Sequence, residues 1–351
     1  METDEQALIE AARRGDERAF SDLTEVHRTE LTAYCYQMLG SFHDAEDAVQ
    51  DALLRAWRRL GTFEGRSSMR SWLYSIVTNT ALDIARRRAR RELSADYGPA
   101  AGPGVGPEAP VDEPIWLEPF PDPGQTTVSP EARYELRESL ELAFVVALQH
   151  LPPLQRAVLI LREVAGFSAQ EAAEQLGTSV PAINSALQRA RAAAQDRLPA
   201  QSQQVTLRSL GDTRVKTLAE RYADAIERGD TDTLISMLTI DATWSMPPAP
   251  TWYLGHAAIA EFMRDYVFHV DWRHQATEAN GQLAVGCYIF DPERGTYVAS
   301  VLDVLTLRGD KIAGVDGFHL AAFMRRSGYD LKLAGFDYFA RFGLPDEIAR
   351  T

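Results

Sequence analysis

The chain has 351 residues, a length that suits two or three domains, and is 45% hydrophobic and 25% charged, as soluble globular proteins are. A net charge of −14 argues against nucleic-acid binding through bulk positive charge. Two distant cysteines, Cys35 and Cys287, exclude a disulfide scaffold, and the absence of a signal-peptide core or a long apolar run predicts a cytoplasmic protein without a membrane anchor.

Charge is distributed unevenly. Residues 1–51 carry a net −9, residues 52–91 a net +8, and residues 92–130 a net −7. The first helix with a clear pattern covers 44–60. Ala45, Ala48, Val49, Ala52, Leu53, Ala56 and Trp57 follow the spacing of one buried stripe. Asp44, Asp47 and Asp51 line another face. A second helix is expected over 71–91, capped by Ser71, with Leu73, Val77, Thr80 and Ile84 facing the core. Trp72, Asn79, Asp83 and Arg86 lie about 100° away. An aromatic and an asparagine above a basic helix end suit stacking on unpaired bases with phosphate contact.

Residues 92–130 contain nine prolines and five glycines and no basic residue. This composition predicts a disordered linker. Trp116-Leu117-Glu118-Pro119-Phe120-Pro121-Asp122 stands out within it as a short docking segment.

Helical patterning resumes over 131–198. Ser168 and Glu171 have capping-box spacing, and Gly177 ends the helix. Ser179 or Thr178 caps the next one, with Pro181 in its first turn. Two short helices joined by a glycine turn have the geometry of a DNA-reading helix-turn-helix. Val180, Ile183, Leu187, Ala190 and Ala194 share one side of the second helix. The outer side offers Asn184, Ser185, Gln188, Arg189 and Arg191, with no acid from 179 to 194. Such side chains reach base edges and phosphates.

After residue 211, helical patterns over 213–228 and 256–269 precede strand-like runs over 273–280, 282–290, 296–307 and 311–320. Helices followed by a meander of strands predict an α+β domain. Asp303 sits among apolar alternating neighbours, Tyr297, Ala299, Val301 and Leu305. An acid there must be paired, protonated or solvated within a cavity, with His274 and His319 as candidate partners. No spacing of His, Asp and Glu suggests a metal site, and no cofactor is expected.

Asp44-Ala45-Glu46-Asp47-Ala48-Val49-Gln50-Asp51 and the segment 71–83 resemble region 2 of a bacterial sigma-70 factor. Leu151-Pro152-Pro153-Leu154-Gln155-Arg156 and the helix-turn-helix resemble region 4. The spacing resembles the extracytoplasmic-function (ECF) group. Residues 211–345 resemble a SnoaL-like, NTF2-like domain, through the segments 242–248 and 279–282. The SigJ-type Asn-Pro-Asp-Lys-Leu signature is absent, so the SigG-type arrangement is the nearer resemblance.

This resemblance implies a multi-domain fold. Two all-α domains, at 5–91 and 131–198, are joined by the 92–130 linker and followed by a cone-shaped α+β domain at 211–345. It implies a non-enzymatic role, with RNA polymerase core (β′ clamp and β flap) and promoter DNA as partners. Asp44, Asp47, Gln50 and Asp51 would contact polymerase. Trp72, Asn79, Arg86 and Arg87 would serve the −10 element. Asn184, Ser185, Gln188, Arg189 and Arg191 would serve the −35 element. The acidic linker would thread toward the RNA exit channel. Trp244, Trp252, Tyr288 and Asp303, with Met246, Tyr253, Phe262, Trp272 and Phe290, would line a cavity for a small hydrophobic ligand. Two other readings remain: a SnoaL-type enzyme fused to a DNA-binding module, and a conventional helix-turn-helix regulator.

Overall fold

A computed structural model of the chain describes residues 2–111, 116–122, 130–329 and 338–350. In chain order the helices are α1 (Glu2–Arg13), α2 (Glu17–Leu39), α3 (Phe42–Arg59), α4 (Met69–Arg87), α5 (Ser94–Tyr97), α6 (Pro130–Leu140), α7 (Leu142–Gln149), α8 (Pro153–Leu159), α9 (Ala169–Gln175), α10 (Val180–Gln195), α11 (Gln203–Leu210), α12 (Asp212–Glu227), α13 (Thr231–Met237), α14 (Gly255–Phe262) and α15 (Ala321–Arg326). The strands are β1 (Leu238–Ser245), β2 (Trp252–Leu254), β3 (Trp272–Ala279), β4 (Gln282–Asp291), β5 (Thr296–Arg308), β6 (Lys311–His319) and β7 (Glu347–Ala349). They form two compact units: residues 1–90 with 123–198, and residues 91–122 with 199–351.

The first unit is helical. In α3 the expected stripe is buried at Ala45, Ala48, Val49, Ala52, Leu53 and Ala56. Helix α4 starts a turn earlier than its sequence predicts, because Ser68 rather than Ser71 caps it. The Ser68 hydroxyl accepts from the Ser71 amide at 3.2 Å. It also ends sooner, at Arg87.

The segments before and after the linker pack together through buried polar contacts. Gln37 of α2 donates to the Ser139 hydroxyl at 2.9 Å and accepts, through its carbonyl, from Gln149 at 3.1 Å. Arg156 of α8 is 5% exposed. Its guanidinium donates to the carbonyls of Leu148 (2.8 Å), Gln149 (2.9 Å) and Leu151 (3.2 Å), to Gln149 Oε1 (2.8 Å), and to the Met38 carbonyl. Met38 lies at the end of α2, while Leu148 and Gln149 end α7. A single cation thus meets the negative ends of two helices. Burial pulls its pKa down to about 10, which leaves it charged at neutral pH.

The second unit is built on one sheet with the order β2-β1-β6-β5-β4-β3, and β7 pairs with the start of β5. The β1–β6 pairing is parallel and the others are antiparallel. Strand β5 carries a bulge against β4. Tyr288 pairs with Ala299, and its neighbour Cys287 pairs with Val301, so Ser300 is the extra residue. One inserted residue reverses the inside–outside alternation. Val301 and Asp303 therefore face the cavity, while Tyr297 and Ala299 do not share their face. The single uninterrupted face expected from the sequence is corrected on this point.

The expectation of a disordered linker is also corrected over the described part of 91–122. Prolines and glycines limit helix there to the single turn of α5 but allow extended docking onto the sheet. Trp116, Leu117 and Phe120 are each under 5% exposed. The Phe120 amide donates to Asn280 Oδ1 at 2.9 Å, and the Asn280 amide returns a bond to the Phe120 carbonyl at 2.8 Å. Asn280 holds φ +53°, so the β3–β4 turn itself presents this dock. Arg91 belongs to this unit. It donates to the Trp116 carbonyl at 2.6 Å and pairs with Glu118 at 3.2 Å. Earlier in the segment, the amides of Ala101, Glu108 and Val111 donate to the Trp252 carbonyl, Thr251 Oγ1 and the Pro248 carbonyl at 2.8–3.1 Å. Residues 112–115, 123–129 and 330–337 lie outside the described residues.

Candidate nucleic-acid interface and apolar cavity

The helix-turn-helix forms as its sequence specifies. The Glu171 amide donates to Ser168 Oγ at 3.2 Å, and Glu171 Oε2 accepts from the Ser168 amide at 2.8 Å. This capping box holds the Glu171 carboxyl below its ordinary pKa, chiefly through the backbone hydrogen bond of Ser168. Gly177 takes φ +60°, and the next amide, of Thr178, reaches back to the Ala173 carbonyl at 2.9 Å. That left-handed turn sets the angle between α9 and α10. A Gly177→Ala variant is expected to lose about 1 kcal/mol from this unit, read as a lower melting temperature.

In α10, Ile183, Leu187, Ala190 and Ala194 are buried, and so is Ala186. Asn184, Ser185, Gln188, Arg189 and Arg191 are all exposed. Arg189 donates to Ser185 Oγ at 2.6 Å, one turn back. Arg191 pairs with Glu163 at 2.5 Å, so it must leave that partner to meet a phosphate.

On α4, Asn79, Arg86 and Arg87 are exposed. The Asn79 amide group donates to the Ser75 carbonyl at 2.8 Å. Trp72 is half-buried, its ring tilted against Phe63 at 5.1 Å. Phe63 thus braces one side of the indole.

On α3 the four residues expected at polymerase do not stay together. Asp44 is 7% exposed and is paired with Arg88, the residue just past α4. That part-buried ion pair takes it out of the acidic face. Asp47, Gln50 and Asp51 remain exposed. Leu54 joins them at the i+7 position from Asp47 and is 57% exposed. A large apolar residue left in water beside acids is a signal visible in the sequence, but the stripe count alone does not reveal its exposure.

The second unit holds a part-open cavity of about 370 Å3 among its described residues. Trp244, Met246, Phe262, Trp272 and Asp303 line it as expected. Trp252, Tyr253, Tyr288 and Phe290 do not. Tyr288 follows Cys287, which faces the cavity, so strand alternation turns Tyr288 to the other side. There it is fully buried with its ring 5.5 Å from Phe339. Trp252 lies on the edge strand β2 and donates instead to the Gly98 carbonyl at 2.8 Å.

Asp303 accepts from Tyr222 Oη at 2.8 Å and from Cys287 Sγ at 3.3 Å. Burial raises its pKa, against the lowering effect of these two hydrogen bonds. Neither histidine is its hydrogen-bond partner. His274 pairs with Glu227 at 3.1 Å, and His319 Nδ1 has no partner among the described residues. Both imidazoles nonetheless line the same cavity. Tyr222 and Glu227 escaped the sequence reading because they come from α12, whose pairing with the strands is a tertiary fact. Among the described residues no group of three or more His, Cys, Asp or Glu is placed to hold a metal ion, and no helix is long and apolar enough to cross a membrane.

Three family profiles match the chain: Sigma-70 region 2 over residues 23–91, Sigma-70 region 4 over 141–193, and a SnoaL-like domain over 219–315. The ECF RNA polymerase sigma factor SigG of Mycobacterium tuberculosis is 40% identical over 339 residues, covering 96% of this chain and 86% of that protein. The chain belongs to the ECF RNA polymerase sigma factors. This sigma factor is also similar to SigW of Bacillus subtilis, at 27% identity over 192 residues, which cover 54% of this chain and 94% of the relative. The crystal structure of the M. tuberculosis ECF sigma factor SigJ shares its fold, with a TM-score of 0.55, 24% identity, and coverage of 89% of this chain and 99% of that one. The three-part order expected from the sequence is the order these comparisons show.

Proposed function

We propose that this sigma factor joins RNA polymerase core in the cytoplasm through the exposed α3 stripe of Asp47, Gln50, Asp51 and Leu54. On that holoenzyme, α10 reads the −35 element in the major groove through Asn184, Ser185, Gln188 and Arg189. Arg191 adds a phosphate contact once it leaves Glu163. The −10 element falls to Trp72, Asn79, Arg86 and Arg87. The second unit modulates initiation in cis, since it holds residues 91–122, the stretch the family would thread through polymerase.

The observation that carries this reading is the capped helix-turn-helix with an acid-free, fully exposed outer face on α10. An Arg bidentate to guanine discriminates by about 1–3 kcal/mol. Run-off transcription with core polymerase and the Arg189→Ala variant tests it. Initiation is expected to fall about 5- to 150-fold on an intact promoter. It should change little on a template whose −35 element has been scrambled. Equal loss on both templates, or no loss, would remove α10 from −35 reading.

A further inference from the structure

An aromatic ring makes a strong stacking platform for an unpaired base when its plane is already fixed, because a ring that must be ordered on binding loses part of the stacking gain. Trp72 is half-buried in the first turn of α4, where its amide donates to the Ser68 carbonyl at 3.0 Å. That bond sets the backbone and leaves the indole to turn about its side-chain torsions. The Phe63 ring, 5.1 Å away and tilted by 44°, limits that rotation. The attitude of the indole therefore depends on what holds Phe63.

Phe63 is held at three points. Its side chain is buried against Trp72. Its amide donates to the Leu60 carbonyl at 3.1 Å, closing the short turn Leu60–Thr62 that follows α3. Its carbonyl accepts from Arg13 Nη2. Arg13 stands in the last turn of α1, fifty residues earlier in the chain, and α1 is itself seated by the buried Ile9 and Ala12. Beyond Phe63 the support changes. Glu64, Gly65, Arg66 and Ser67 are all exposed, Gly65 turns with φ +72°, and Glu64 and Arg66 pair with each other. Order returns at Ser68, which caps α4. The Arg13 bond thus anchors the near end of a four-residue exposed loop whose far end leads directly into Trp72.

We infer that Arg13 is a positioning residue for capture of the −10 strand: by holding the Phe63 carbonyl it fixes the Phe63 ring, and through that ring the plane of Trp72, without touching DNA itself. Arg13 precedes residues 23–91, which the region 2 profile matches, so α1 joins the promoter-reading surface from outside that region. The inference rests on the −10 reading of Trp72 proposed above.

The test measures how core polymerase carrying the full chain binds a fluorescent single strand with the −10 element of a promoter that it transcribes, over a series of salt concentrations. Arg13→Ala is expected to weaken binding about fivefold, the scale of one hydrogen bond. Arg13→Lys keeps a cationic donor and should recover part of the loss. Affinity for core polymerase should be unchanged in both variants, which a general loss of folding would not allow. Two marks separate positioning from a phosphate contact. The slope of log affinity against log salt should stay the same, whereas loss of a phosphate contact lowers it by about 0.7 on a single strand. The effect of Arg13→Ala should also disappear in a Trp72→Ala background, because the two side chains act through one another. In the free chain, amide exchange over 63–67 should speed severalfold in Arg13→Ala. A loss in Trp72→Ala with none in Arg13→Ala would overturn this inference and leave the −10 reading standing. No loss in Trp72→Ala would overturn that reading and this inference with it. A shallower salt slope, full additivity of the two substitutions, or unchanged loop exchange would each remove Arg13 from a positioning role.

Discussion

Arg156→Met is expected to cost the helical unit about 3–5 kcal/mol and to lower its melting temperature by about 10 °C. The guanidinium is buried and donates to five oxygens, four of them backbone carbonyls. Carbonyls at a helix end have no partner within their own helix. Removing the donor strips this hydrogen bond from the buried Met38, Gln149 and Leu151 carbonyls, while Leu148 keeps the Leu151 amide at 3.0 Å. Arg156→Lys restores the charge but not the planar fork, and should recover about half the loss. Amide exchange resolved over α2, α7 and α8 checks this, because the loss should appear in all three helices together. A loss confined to α8 would show that the arginine serves only its own helix. The sequence places Arg156 in a recognisable motif, but its role in joining three helices appears only once Met38 is seen beside it.

In the second unit Asp316 and His319 are expected to make nearly cancelling contributions to stability between about pH 4 and pH 6, leaving the loss with rising pH that the raised Asp303 adds. Burial raises Asp316 to about 6, against the hydrogen bond it accepts from Ser245 Oγ at 2.6 Å and with added repulsion from Asp96 and Asp303. The folded state then keeps a proton that the unfolded chain has released. Stability from this group is full below the unfolded value near 4 and is lost as pH rises through 6. Burial lowers His319 to about 4. Here the unfolded chain takes up a proton that the folded state refuses, so stability falls as pH drops from about 6.5 toward 4. Each effect approaches about 3 kcal/mol, from roughly two pH units at 1.36 kcal/mol each. Asp316→Asn should unmask the histidine, so that stability rises with pH across this window. His319→Phe should unmask the aspartate and reverse the slope, which the raised Asp303 reinforces. Chemical denaturation of the full chain at pH 4, 5, 6 and 7 separates the cases. Parallel curves for both variants would refute the assignment.

Helices with strong local signals were legible from the residues alone. The capping box at Ser168, the turn at Gly177 and the buried stripe of α3 depend on neighbours within one or two turns. The outward face of α10 follows from the same 100° arithmetic. What failed depended on distant partners. Asp44 looks like part of an acidic face until Arg88, 44 residues on, covers it. Tyr288 and Trp252 look like cavity residues because they are aromatic, but strand parity and the edge position of β2 turn them away. Asp303 lines the cavity, yet its expected neighbours lie across a bulge that no composition rule locates. The 92–130 stretch has the composition of a disordered segment, and the order of its described part up to Asp122 comes from a sheet that begins more than a hundred residues later.

The two units are not consecutive along the chain. Residues 91–122 fold with 199–351, and residues 123–198 return to the first unit. As the polypeptide leaves the ribosome, Trp116, Leu117 and Phe120 therefore emerge long before the strands that cover them. These apolar side chains must wait through the synthesis of the whole helix-turn-helix. Nor can one cut release either unit intact, since the backbone passes between them three times. Any gene fragment ending after α10 carries an orphaned apolar stretch in its middle, and its solubility will reflect that stretch as much as the missing sheet.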